Sequence, residues 1–194
     1  DKDKKRATGV EVIDAETNKT YTYNAKIIFV CASAFNSTWI LMNSATDIWP
    51  DGLGSSSGEL GHNVMDHHLK SGAEGIIEGF DDKYVYGRRP TGIYIPRFQN
   101  IYDDKRDYLR GFGYQGGAYR GTGLDVAEFT IGSDLKNALS EPGPWKMGMM
   151  GFGEILPDHN NRIFLDKNKK DKWGLPVLSF DVELKENEIK MRKD

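Results

Sequence analysis

Gly75-Ile-Ile-Glu-Gly79, Gly92-Ile-Tyr-Ile-Pro96 and Tyr108-Leu-Arg-Gly-Phe-Gly-Tyr-Gln115 decide the fold class. Short aromatic or β-branched runs separated by glycines are the pattern of an antiparallel sheet, and they recur from about residue 70 to 135. Downstream, Ser133-Asp-Leu-Lys-Asn-Ala-Leu139 reads as a short helix broken by Glu141-Pro-Gly-Pro144. Residues 145–156 and 161–166 read as further strands, 166–173 as a charged turn, and Pro176 to Val182 as a last strand. Glu183 to Lys193 opens a polar helix. Glycine, at 22 of 194 residues, is richer than the usual ~7%. Inside strands it serves bulges of a curved sheet, the simpler reading, or a surface that a ligand approaches closely.

Upstream, residues 7–34 read as three strands. Thr8-Gly-Val-Glu-Val-Ile-Asp14 and Thr20-Tyr-Thr-Tyr-Asn24 alternate, and the turn-rich Ala15–Lys19 joins them as a hairpin. Lys26-Ile-Ile-Phe-Val-Cys-Ala-Ser33 is continuously apolar, as in a parallel strand covered on both faces, and predicts a buried, inert thiol at Cys31. A tight turn then leads into a helix through Ser44, with Asn36 or Ser37 as the N-cap. Residues 50–61, rich in Gly and Ser, read as a loop and domain boundary. The expected class is therefore α+β. An antiparallel sheet with flanking helices fills residues 51–194, and a β-meander, strand and helix fill residues 1–50.

The totals bound the function. A net charge of −3 with interspersed signs exerts no general pull toward nucleic acid or an anionic membrane. The longest apolar run, Ile27 to Ala34, is too short to span a bilayer. One cysteine allows no disulfide within the chain and leaves the compartment open. The charged Asp1–Arg6 start, without Met or an apolar stretch behind it, is that of an excised segment or a processed chain.

Few residues announce chemistry locally. His62-Asn-Val-Met-Asp-His-His68 is the densest group of possible metal ligands, but a helix would align only His62 with Asp66, and the one further histidine is His159. A structural role fits that spacing better than a metal site. Asp81-Asp82 and Asp103-Asp104 read as solvated turns rather than an acid/base pair, which needs carboxyls facing across a pocket. Gly111-Phe-Gly113 with Gly116-Gly117 does not follow a buried strand, so it makes no dinucleotide fingerprint. Tyr108 to Tyr119 reads as a half-solvated sheet face, or as the wall of a polar, sugar-like pocket.

Three segments together resemble the glucose–methanol–choline (GMC) oxidoreductases, closest to bacterial members similar to pyranose oxidases and sugar-acid dehydrogenases. They are Thr8–Asp14 with Ala25–Ser44, then Leu60-Gly-His-Asn-Val-Met-Asp-His67, then Leu156–Asp166 with Lys170-Asp-Lys-Trp-Gly-Leu-Pro176. The resemblance implies an FAD-dependent oxidoreductase acting on a CH–OH group of a sugar, sugar acid or alcohol, with an unspecified electron acceptor. It implies that Ala32, Ser33, Ala34, Asn36, Ser37 and Asn63 lie at the FAD site. It also implies that Tyr114, Gln115, Tyr119, Arg120 and Met147 to Met150 contribute to the substrate wall. Ser33 stands where family members usually have glycine. The likeness covers the middle of a family member, so the N-terminal glycine fingerprint and the catalytic histidine are expected outside this chain. No catalytic residue and no metal ligand is assigned within it, and the chain alone is expected to bind FAD weakly or not at all. Two other readings remain open on the residues themselves: a non-catalytic carbohydrate-binding or interaction module, and a hydrolase or metal protein built on the histidines.

Overall fold

A computed structural model describes residues 5–82, 92–122, 130–140 and 142–194. Asp1–Lys4 of the charged start, parts of the expected 70–135 sheet and Glu141 of the helix-breaking tetrapeptide lie outside the described residues. In chain order the elements are β1 (Gly9–Ile13), β2 (Thr20–Asn24), α1 (Ser33–Asn43), β3 (His67–Ile77), β4 (Gly92–Ile95), β5 (Phe112–Thr122), α2 (Gly132–Ser140), β6 (Pro142–Glu154), β7 (Arg162–Lys170), β8 (Pro176–Asp181) and α3 (Glu186–Lys193). The fold is α+β, with antiparallel sheets throughout the described residues. The chain forms two compact units, Asp1–Met65 with Pro157–Glu183, and Asp66–Leu156 with Leu184–Asp194.

In the first unit β1 and β2 make the expected hairpin, in register from Gly9↔Asn24 to Ile13↔Thr20. Asp14 closes its turn: Oδ1 accepts from the Thr17 N–H at 2.7 Å and the Glu16 N–H at 3.0 Å. These bonds, Thr17's first, hold its carboxyl below the usual carboxylate range.

The third expected strand is not formed. Residues 25–32 are irregular, Ile27 and Phe29 are 72% and 83% exposed, and Cys31 is exposed rather than buried. A central parallel strand exists only when neighbouring strands take its N–H and C=O groups. Among the described residues no strand pairs with this run.

The helix after it starts earlier than expected. It begins at Ser33 behind an Ala32 N-cap, so Asn36 and Ser37 are the fourth and fifth helical residues instead of caps. Its apolar side docks on the β7–β8 ribbon. The Trp39 indole N–H donates to the Pro176 carbonyl at 2.7 Å, and Phe35 meets Phe180 edge-on at 5.0 Å. β7 runs on to Lys170, and Asp171 makes the turn by accepting from the N–H groups of Trp173 and Leu175 at 2.9 and 3.0 Å. Gly61, at φ +87°, passes where a Cβ would strike the Met42 methyl and the Ile163 carbonyl, so only glycine fits.

The second unit is built on a four-stranded sheet in the order β3-β6-β5-β4. A bulge between His68 and Ser71 bends β3. The Gly111–Gly116 stretch lies at the start of β5, an antiparallel strand, so its glycine spacing serves the sheet and not a strand-to-helix turn. Helix α3 lays Met191 over Gly153, beside Tyr108 and Phe112 in the small core. Its Glu188 is 1% exposed, and its carboxylate accepts from the Leu156 and Lys185 N–H groups at 2.9 and 3.0 Å. Met147 to Met150 fall within β6, in line with the strand expected over 145–156.

Buried Asn161 pins the first unit's chain crossing. Its amide donates to the Glu183 carbonyl at 3.1 Å and accepts from the Glu183 N–H at 3.0 Å. Asn161→Ala removes both bonds from a buried position, and the expected loss is about 2 kcal/mol of stability. Urea unfolding followed by circular dichroism measures it; a loss under about 0.5 kcal/mol, the range of ordinary surface changes, contradicts this role.

Candidate functional site

The residues assigned to the cofactor by resemblance form a turn and a helix N-terminus. Ser33 has φ +66°, the left-handed region that glycine tolerates and a serine enters at a cost of about 1–2 kcal/mol. The Ala32 N–H donates to the Ser37 hydroxyl at 3.2 Å, folding the turn back on the helix. No side chain caps α1, and no acidic residue stands in its first turn. The N–H groups of Ser33, Ala34 and Phe35 therefore open toward an anion, supported by the helix dipole.

Asn63 is also left-handed, at φ +57°, and its amide donates to Glu59. The Glu59 carboxylate lies 3.4 Å from His159 Nδ1, and the His159 ring stacks on His62 with centroids 3.8 Å apart. His62 Nδ1 lies 2.6 Å from the His159 carbonyl. The sequence cluster is thus divided. His62 pairs with a histidine 97 residues away, a contact with no local signal, whereas His67 sits beside Asp66 at 3.5 Å and His68 turns inward. No group of three or more ligating side chains able to hold a metal occurs among the described residues.

The four residues read as substrate wall occupy both faces of β5, because successive side chains of a strand point to opposite faces. Gln115 and Tyr119 share one face with Tyr94, Met150, Lys146 and Glu74, and Tyr119 OH donates to Glu74 at 3.0 Å. Across that face runs the row Glu74–Gly148–Gly117–Gly92, three neighbouring positions without side chains, with the Glu74 side chain against Gly148. Tyr94 and Tyr119 are 65% and 48% exposed there. Tyr114 and Arg120 point to the other, half-buried face. Arg120 donates to the Gly143 carbonyl of β6 at 2.7 Å and to the Asp81 carbonyl at 2.8 Å, tying β5 to its neighbouring strand and to the turn at residue 81.

This chain and the GMC oxidoreductase family model match over residues 1–69. Over 95% of its length it is 32% identical to a 2-methyl-1,2-propanediol dehydrogenase of Mycolicibacterium austroafricanum, covering 34% of that protein. Over 92% of its length it is 25% identical to a fructose dehydrogenase large subunit of Gluconobacter japonicus, covering 33% of that one. The chain belongs to the GMC oxidoreductase family, and it spans about a third of the length of the curated relatives it matches. The family is characteristically FAD-dependent. No helix among the described residues is long and apolar enough to cross a membrane.

The strain at Ser33 gives a direct test. Ser33→Gly removes the Cβ from a left-handed position and is expected to stabilise the first unit by about 1 kcal/mol. A thermal melt that moves downward instead would show that the Ser33 side chain, not its backbone, matters at this turn.

Proposed function

We propose that this chain belongs to an FAD-dependent oxidoreductase that oxidises a CH–OH group of a small alcohol, sugar or sugar acid by hydride transfer to the flavin. The relatives' names supply the substrate class, a diol for one and a ketohexose for the other. The observation that carries the reading is the open sheet face. Its glycine row lets a small molecule approach the backbone, while Gln115 and the Tyr119 phenol stand on either side to hydrogen-bond hydroxyls.

The residues fit the cofactor. Uncapped N–H groups at Ser33–Phe35 suit an anionic group, and the left-handed turn at Ser33 draws the backbone close to a ligand. Ala32, Ser33, Ala34, Asn36 and Ser37 would hold it, with Asn63 positioned by Glu59 as a further donor. When bound, the flavin supplies the hydride acceptor. Gln115 and Tyr119 orient the substrate hydroxyl, Glu74 fixes the Tyr119 phenol, and Tyr94 and Met150 cover the substrate's apolar side. Tyr114 and Arg120 take part through the sheet's shape.

In this reading residues 1–50 serve the FAD-binding domain and 51–194 the substrate-binding domain. The base and the dinucleotide fingerprint come from sequence beyond the matched third.

Two measurements test it. FAD added to the isolated 194-residue chain is expected to give no tight, stoichiometric flavin spectrum; a one-to-one bound spectrum overturns the assignment of the fingerprint elsewhere. In the flavin-loaded enzyme, Tyr119→Phe and Gln115→Ala are each expected to raise KM for the alcohol or sugar about tenfold, the worth of one substrate hydrogen bond. Unchanged kinetics in both variants contradicts the placement of substrate on this face.

A further inference from the structure

The half-buried face of the same sheet holds a cavity of about 320 Å³, at the small end of ligand pockets. Its walls come from β3, β5, β6 and the last turn of α3. Phe112, Tyr114, Met149 and Met191 make it apolar. Strand alternation aims these side chains away from Gln115 and Tyr119, so this cavity and the open face are distinct.

His68 lies in its wall, 4% exposed, and its Nε2 has no hydrogen-bond partner. A buried polar nitrogen left unpaired costs about 1–3 kcal/mol, so one kept in the wall of a cavity calls for a ligand atom or a water to reach it. Three charged residues line the cavity, Arg192, Lys193 and Asp194. Arg192 and Lys193 line the cavity and form no ion pair among the described residues. The nearby acids are already engaged. Asp194 accepts from Arg106 at 2.8 Å and from Tyr108 OH at 2.6 Å, and the buried Glu188 accepts from two backbone N–H groups.

We propose that this cavity binds a small organic carboxylate with an apolar body, its carboxylate between His68 Nε2 and the Arg192 guanidinium and its body against Phe112, Met149 and Met191. A neutral imidazole donates one Nε2–H to the carboxylate, and Arg192 supplies the opposite charge. Burial first, and Arg192 second, hold the His68 pKa below its ordinary value, against an opposing pull from Glu188, so the ring enters the site neutral. A bare inorganic anion would satisfy the polar end but leave the apolar wall empty. A neutral aromatic alcohol would do the reverse.

The test needs no flavin and therefore stands or falls apart from the oxidoreductase reading. The ¹⁵N-labelled protein is titrated with benzoate, inorganic phosphate and benzyl alcohol while the imidazole resonances of its four histidines are followed. Benzoate is expected to shift His68 saturably and to leave His62, His67 and His159 in place, with phosphate and benzyl alcohol each at least tenfold weaker. Arg192→Gln, at an exposed position, is expected to weaken benzoate about tenfold without changing the melt. His68→Leu is expected to abolish the preference for benzoate over benzyl alcohol. The proposal is overturned if His68 does not respond to benzoate, if phosphate or benzyl alcohol matches it, or if Arg192→Gln binds as tightly as the parent.

Discussion

The second unit depends on β6, a 13-residue strand that pairs on both sides, with β3 along one edge and β5 along the other. Because its backbone groups are engaged in two ladders, it can carry four glycines and three methionines without losing its extended form. Those small and adaptable residues shape both faces. Gly148 lies under the Glu74 side chain on one face, while on the other Gly153 makes room for Met191 of α3 and Gly151 and Met149 line the cavity. A single strand thus shapes both the open face proposed for substrate and the half-buried face proposed for a carboxylate.

The same constraint explains the failed expectation near the N-terminus. Lys26 to Ser33 has the composition of a buried parallel strand, yet Ile27 and Phe29 face solvent. Apolar side chains favour burial by about 1.5–3 kcal/mol each, but the backbone of such a strand must first find partners. Hydrophobic sequence states a preference; pairing decides whether it is met.

Legibility followed the range of each signal. The β1–β2 hairpin, the 133–139 helix and the strands around 112, 145 and 176 were readable because alternation and turn residues act locally. Even the division of Tyr114 and Arg120 from Gln115 and Tyr119 is contained in their odd and even numbers once β5 is known to be regular there. The His62–His159 stack, the inward turn of His68 and the capture of Glu188 by Leu156 were not readable, since each joins residues far apart in sequence. The α1 start was missed for another reason: polar residues at 36 and 37 signal a cap, whereas the left-handed Ser33 already turns the chain. The resemblance compensated for part of this, since family motifs mark positions whose contacts lie elsewhere in the fold.

The central claim is that the open face of the β3-β6-β5-β4 sheet receives the alcohol or sugar. A structure of the flavin-loaded enzyme with a bound substrate alcohol tests it most directly. The account predicts the alcohol over the Gly92–Gly117–Gly148 row, with a hydroxyl within hydrogen-bond distance of Gln115 or Tyr119. An alcohol bound against Tyr114 on the reverse face, or away from the sheet altogether, would contradict it.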